Sequence, residues 1–270
     1  MFELRIPLTF AAITSIKADL TQSLAVVKSS HRVEAVARGL GFQTNAAMRV
    51  AVKTNAPLHV SVRWEPFASY LTEKGFEVDA TVFFHTCARV AMDGVVRAIP
   101  RLTILGIETG LREQNPDGSK ETFEQYRERI AQERARLFGK HGIAEFLLSL
   151  ALLARVKPVK LISHSDSYWV KHIAENFACT YPLGPKLGPS SVANGALIAA
   201  AAHAGFVVRE YPGSPNASFN MSKRSLVDLD CQVRPTGAYA QARRRKEEAR
   251  RSARFADGGR SRTASITPIA

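Results

Sequence analysis

The sequence predicts a mainly α protein with small β elements, an α+β chain of two helical modules joined by a charged helix and followed by a basic tail. Three observations carry this expectation. Apolar residues recur at three- and four-residue spacing through most of the chain, the period of a helix with one buried face. The pair Gly-Phe closes such a stretch three times, at Gly41-Phe42, Gly75-Phe76 and Gly205-Phe206; a left-handed glycine stops a helix there and the phenylalanine seals its end. Strict alternation is confined to short runs, of which "PLHVSVRW" at 57–64 is the clearest.

Taken in order, Ile13, Ile16, Leu20, Leu24 and Val27 define a first helix, with Ser15 in position to cap it. Ser29-Ser30 are expected to end it and cap a second, whose stripe is Val33, Val36, Ala37 and Leu40. Thr44 caps a third, with Ala47, Met48, Ala51 and Val52 facing inward. "FASYLTEKGF" and "TVFFHTCARVAMDGVVRAI" (81–99) are helices, the latter stopped by Pro100. "RLTILGIE" (101–108) is expected as one short strand. "NPDGS" is a turn signal. From Glu121 to Phe138 runs a highly charged helix with a thin seam of Phe123, Tyr126, Ile130 and Leu137. The apolar run 143–156 is a buried helix, since Glu145 interrupts it and it is shorter than the ~20 residues a membrane span requires. A helix from Tyr168 to Ala178 begins within "SHSDS", with Trp169, Ile173 and Phe177 as its core face. "YPLGPKLGP" (181–189) is a loop, and Ser191 is placed to cap "VANGALIAAAAHAGF", apolar nearly all round and therefore buried. Residues 206–222 form a β-hairpin.

This order divides the chain into an N-terminal helical module (1–110), a charged connector helix (111–140), a C-terminal helical module with the hairpin (141–235), and a basic tail (236–270). Within the tail, "QARRRKEEARRSARF" can be helical, whereas "ADGGRSRTASITPIA" has the composition of a disordered segment. With 270 residues and 46% hydrophobic content, a substantial core is available.

Charge is the strongest functional signal. The formal net charge is +13, a balance that attracts phosphate. Nine cations face three acids over 243–262, so nearly half of that excess sits in the tail. Arg243, Arg244, Arg245, Lys246, Arg250, Arg251 and Arg254 are candidates for backbone-phosphate contact without sequence readout; a solvated tail that aids solubility fits the same composition. The stretch "SHRVEAVARGLGFQTNAAMRVAVK" (30–53) is a candidate helix-turn-helix. Ala37, Gly41 and Phe42 stand where close helix approach and a turn are needed, and the third helix would present Gln43, Asn45, Ala46, Arg49 and Lys53 outward. Asn and Gln suit adenine, Arg suits guanine, and Lys suits phosphate. A plain αα-hairpin with a glycine cap gives the same spacing.

Catalytic patterns are thinner. His85 and Cys87 are two residues apart on a helix and point in different directions. "HSDS" (164–167) carries His, Ser and Asp, the residue types of an N-cap as much as of a nucleophile site. His172 and Glu175 lie one turn apart without a further ligand nearby in sequence, and His203 is expected as a hydrogen-bonded core histidine. No phosphate-binding or dinucleotide glycine pattern occurs. Cys87, Cys179 and Cys231 are widely separated, which argues against a zinc ribbon or disulfide framework and for reduced thiols in a cytoplasmic setting. The N-terminus lacks a secretion-signal pattern, so the sequons at Asn216 and Asn220 carry little weight.

"SHRVEAVARGLGFQTNAAM" resembles a small helical module of uncharacterised proteobacterial plasmid and phage proteins, sometimes labelled glyoxalase-related. "SYWVKHIAE" followed by "NGALIAAAAHAGF" is similar to a second short motif of such mobile-element proteins. The resemblance implies a plasmid- or phage-linked bacterial context and carries over no catalytic residue; the paired His and Glu metal ligands of glyoxalases are not found here. The expectation is a cytoplasmic, non-enzymatic accessory protein of a mobile element, without cofactor, metal or membrane, that contacts DNA or RNA. The alternative is an adaptor whose tail binds an acidic protein. An enzyme built around His164 to His172 is the third reading.

Overall fold

A computed structural model describes residues 3–54, 58–162, 165–182 and 184–260. Among these residues the fold is mainly helical, with eleven helices and nine short antiparallel strands.

The first strand, β1 (Arg5–Leu8), pairs with β2 (Leu58–Ser61), Ile6 standing opposite Val60. Leu4, Ile6 and Leu8 are buried on one face, and Arg5, Pro7, His59 and Ser61 share the other. β1 is too short for its alternation to show in the sequence. Helix α1 (Phe10–Ser23) starts earlier than Ser15 would set it, because the Thr9 hydroxyl accepts the Ala12 amide at 3.1 Å. Helix α2 (Ser29–Gly39) likewise begins without help from Ser29 or Ser30. It follows Lys28 with no side-chain cap, and the Arg32 guanidinium closes the end of α1 by donating to the carbonyl of Leu24 at 3.1 Å.

All three Gly-Phe endings form as the sequence predicts. Gly41, Gly75 and Gly205 have φ of 90°, 80° and 84°. In each the phenylalanine amide reaches back five residues, Phe42 to the Ala37 carbonyl at 2.8 Å, Phe76 to Leu71 at 2.9 Å and Phe206 to Ala201 at 3.0 Å. Helix α3 (Asn45–Thr54) follows the first of these. Met48 and Val52 are its buried residues; Ala47 is exposed and Ala51 only half-buried, so its inward face is narrower than expected. Helix α4 (Trp64–Glu73) lies on α2. Gly39 permits that approach, since a Cβ there would stand 3.0 Å from the Phe67 Cβ of α4 and 2.6 Å from the Phe83 ring, which is stacked on Phe67 with centroids 4.2 Å apart.

Helix α5 (Ala80–Ala98), capped by Asp79, packs against α1 and β1. The stretch 101–108 is a tight hairpin rather than one strand: β3 (Leu102–Thr103) turns into β4 (Gly106–Ile107) through Gly106 at φ 126°. Helix α6 (Phe123–Leu137) opens with a reciprocal capping box between Thr122 and Gln125. Its seam is Ile130 and Leu137, with Glu133. Phe123 is 68% exposed, and the Arg112 guanidinium covers its ring at 4.5 Å. Arg129 ties the helix to the preceding segment by pairing with Glu121 at 2.9 Å, and pairs within the helix with Glu133 at 3.1 Å.

Helix α7 (Lys140–Leu153) and helix α9 (Asn194–His203) pack together and on α5, at the centre of a contiguous buried cluster that runs from Leu4 to Leu229. The N-terminus of α9 is satisfied by Glu145, whose carboxylate accepts the Ala193 amide at 3.0 Å, rather than by Ser191. Around it lie β5 (Ser165–Asp166), α8 (Ser167–Glu175), β6 (Cys179–Thr180) and β7 (Lys186–Gly188), so the Pro/Gly loop contains a strand. Asp166 caps α8. Phe177 lies just past its end and is still buried. The expected hairpin is present as β8 (Val208–Glu210) and β9 (Ala217–Phe219), with β5 added on the far edge of β9. Helix α10 (Lys223–Val233) has no counterpart among the sequence-predicted elements, and α11 (Ala238–Arg260) continues the chain beyond it. No helix among the described residues is long and apolar enough to cross a membrane.

Candidate nucleic-acid interface

The basic helix α11 is rooted before it projects. Asp230 of α10, only 2% exposed, accepts the Trp169 indole N–H at 2.9 Å and the Arg234 Nε and Nη2 donors at 2.7 and 2.6 Å. The Trp169 ring then meets Tyr239 of α11 at 5.3 Å between centroids. A buried carboxylate fully used in this way costs several kcal/mol to disrupt from one side. Asp230 thus ties α8, α10 and the first turn of α11 together. From Gln241 to Arg250 every residue is exposed. Arg243 is engaged, at 3.0 Å from Asp228 and 3.3 Å from Glu247. Arg244, Arg245, Lys246 and Arg250 form no ion pair among the described residues. Arg251 and Arg254 lie where only the helical backbone is described, and Arg262 is outside the described residues. The cations of 241–250 thus stand on an exposed stretch of a helix of 23 residues, roughly 35 Å long at 1.5 Å per residue.

The candidate helix-turn-helix has the predicted helices in different detail. α2 and α3 pack on each other. Gln43, Ala46, Arg49 and Lys53 are exposed, and Asn45 is half-buried. The N-terminus of α3 is closed twice: Thr44 Oγ1 accepts the Ala47 amide at 3.1 Å, and a Glu34 carboxylate oxygen accepts the Asn45 amide at 2.9 Å. Glu34 places negative charge at the helix end that a recognition helix turns toward the groove. The exposed surface that remains for an anion is the Arg49–Lys53 side, one turn further along.

Elsewhere the structure separates the residues of the catalytic patterns. His85 Nε2 is 2.7 Å from the Tyr181 hydroxyl, and burial with the charges of Arg89 and Lys140 lowers its pKa to about 4. Cys87 is buried, which pushes its thiol up. His164 lies outside the described residues; Ser165 and Ser167 are buried and bonded to backbone, Ser165 Oγ donating to the Phe219 carbonyl at 2.8 Å and Ser167 Oγ accepting the Ala217 amide at 3.1 Å. His172 Nδ1 meets Glu175 Oε2 at 2.6 Å, and Lys171 meets Glu175 Oε1 at 3.0 Å. Burial pushes Glu175 up, but Lys171 and His172 outweigh it and hold it below the ordinary carboxylate range. No group of three or more potential metal ligands occurs among the described residues. His203 is half-buried and edge-on to Phe146 at 5.6 Å; it is not the hydrogen-bonded core histidine expected. Sequence reasoning missed Glu34 and Asp230, and also α10. Ser222 with Leu226, Leu229 and Val233 carried the helix signal, but no local pattern links Asp230 to Trp169, 61 residues away.

Comparison with family models, with curated proteins and with solved structures finds no match for this chain.

Proposed function

We propose that the protein associates with nucleic acid, DNA or RNA, through phosphate contacts along α11. One observation carries the reading: Arg244, Arg245, Lys246 and Arg250 stand on an exposed helix without acidic partners among the described residues. Unneutralised cations on a rod displace counterions from a polyphosphate, which favours binding at low salt irrespective of sequence. The free thiols of Cys87, Cys179 and Cys231 suit a cytoplasmic setting. Arg49 and Lys53 on α3 are the candidates for any base preference; the Glu34 carboxylate at the start of that helix makes their contribution secondary to α11.

The test is binding of labelled duplex DNA and single-stranded RNA across a salt series. The reading requires affinity that falls linearly on a log–log salt plot, and that falls to a similar degree for shuffled sequences. It also requires the slope to flatten when Arg244, Arg245, Lys246 and Arg250 are all replaced by Gln. Absence of binding at low salt, with capture of an acidic polypeptide instead, would overturn it in favour of an adaptor.

A further inference from the structure

Two cavities open on the outer face of the β1–β2 ribbon, far in sequence from α11. One, of about 520 Å³, is lined by Leu150, Leu153, Val156 and Phe206 among others. The second, of about 560 Å³, is lined by Pro7, His59, Ala91, Val95 and Ala98 among others. They share two residues, Arg5 and His203, which therefore stand at their junction.

The strand register explains the arrangement. Pro7 pairs with His59 and Arg5 with Ser61, so these side chains emerge on the ribbon face opposite the buried Leu4, Ile6 and Leu8. His203, the last residue of α9, comes to that face from the other side. The charge there is lopsided. Arg5 has one acid near it, Glu3 at 3.8 Å, too far for a hydrogen bond, and Glu3 already accepts the Ser61 hydroxyl at 2.7 Å. His203 has no hydrogen-bond partner among the described residues, and its ring is held only by its edge contact with Phe146. Burial, helped by the charge of His59, lowers its pKa to about 4. A basic group made that reluctant to charge, beside an arginine and a second histidine, is one that a bound anion would relieve.

We propose that this junction binds the anionic head of a small amphiphile, a carboxylate held among Arg5, His59 and His203 with its apolar body in the cavity walled by Leu150, Leu153, Val156 and Phe206. An apolar wall with a few converging polar groups is the usual form of a small-molecule site, and Arg supplies a planar pair of donors for a carboxylate. The remaining walls contribute no charge of either sign: those from α5, α7 and α9 are Ala91, Val95, Ala98, Leu150, Leu153, Ala202 and their apolar neighbours. Glu3 is the one acid on the rim. Neither α3 nor α11 takes part, so the site stands or falls apart from nucleic-acid binding.

Dodecanoate is a suitable probe, with dodecanol and inorganic phosphate as the tail-only and charge-only controls. Calorimetry and the His203 ring proton resonance followed through pH give two independent readouts. Dodecanoate should saturate one site, raise the midpoint of the His203 titration, and bind on the order of tenfold more weakly to Arg5→Gln. Arg5 is 61% exposed, so that variant keeps its fold; His59→Gln, also on the surface, serves as the second variant. Dodecanol should bind more weakly than dodecanoate, and phosphate alone more weakly still. Three results would each overturn the site: no dodecanoate binding up to about 1 mM, equal binding of dodecanol, or binding with an unmoved His203 titration that Arg5→Gln and His59→Gln leave intact.

Discussion

A single glycine decides one of the close approaches in this fold. A Cβ on Gly195, at the start of α9, would lie 1.7 Å from the Thr103 carbonyl oxygen, and the Gly195 amide donates to Ile104 O at 3.0 Å. Gly195→Ala must therefore push the β3–β4 hairpin off α9; thermal or denaturant unfolding should show a loss of about 1–3 kcal/mol or more. An unchanged midpoint would mean the hairpin does not rest on α9. On α3, Met48 is fully buried while Arg49 is exposed. Met48→Ala should cost ~2–5 kcal/mol through a cavity, whereas Arg49→Ala should stay within about 0.5 kcal/mol. If α3 contacts bases, in-vitro selection with Arg49→Ala should lose preference at one position that the wild type enriches. If the wild type enriches no motif, α2–α3 is a packing hairpin and any nucleic-acid binding belongs to α11.

At the scale of elements, α9 and α11 are opposites. Eight of the ten residues of α9 are buried, Ala200 among them. Ala200→Asp should introduce an unpaired buried charge and cost several kcal/mol; a soluble variant with wild-type melting would move α9 to the surface. α11 is anchored by Tyr239 on Trp169 and then runs free. Removal of 241–270 should leave the thermal transition close to wild type, because it discards one exposed ion pair to Asp228, worth about 0–1 kcal/mol, and keeps the anchor. It should weaken binding to all nucleic acids alike. Loss of the transition in the truncated protein would show that α11 belongs to the core.

The whole molecule should lose stability in mild acid. His85 and His203 both have pKa values lowered to about 4 in the fold, from 6.5. Between those limits the unfolded chain binds more protons than the native one, so stability is full above about pH 6.5 and falls as the pH drops toward 4. Glu145 acts in the opposite sense, since burial raises its pKa and its protonation in the native state comes first. The comparison that isolates the histidines is the pH dependence of the melting temperature for His203→Gln against wild type. The variant should have the shallower fall between pH 6.5 and 4.5, and identical slopes would exclude His203 as a contributor.

Much of this architecture was legible in the sequence because it is local. The three Gly-Phe helix ends, the Thr44 cap, the apolar stripe of α1 and the 208–219 hairpin each depend on residues within one or two turns, and all appear in the structure. The exposed cations of α11 were legible for the same reason, since nothing nearby could neutralise so many. What the tertiary structure decided is long-range. Arg32 and Glu145 satisfy helix ends that Ser29, Ser30 and Ser191 were expected to satisfy, because side chains brought in by the fold take the place of a weak local cap; Thr9, which replaces Ser15, is itself a local cap three residues from Ala12. Two-residue strands such as β3 and β5 have no period to read. Asp230 beneath Trp169, Glu34 on the end of α3, and Arg5 beside His203 join residues far apart in the chain, and only the packing of α5, α7 and α9 around one core brings such residues together.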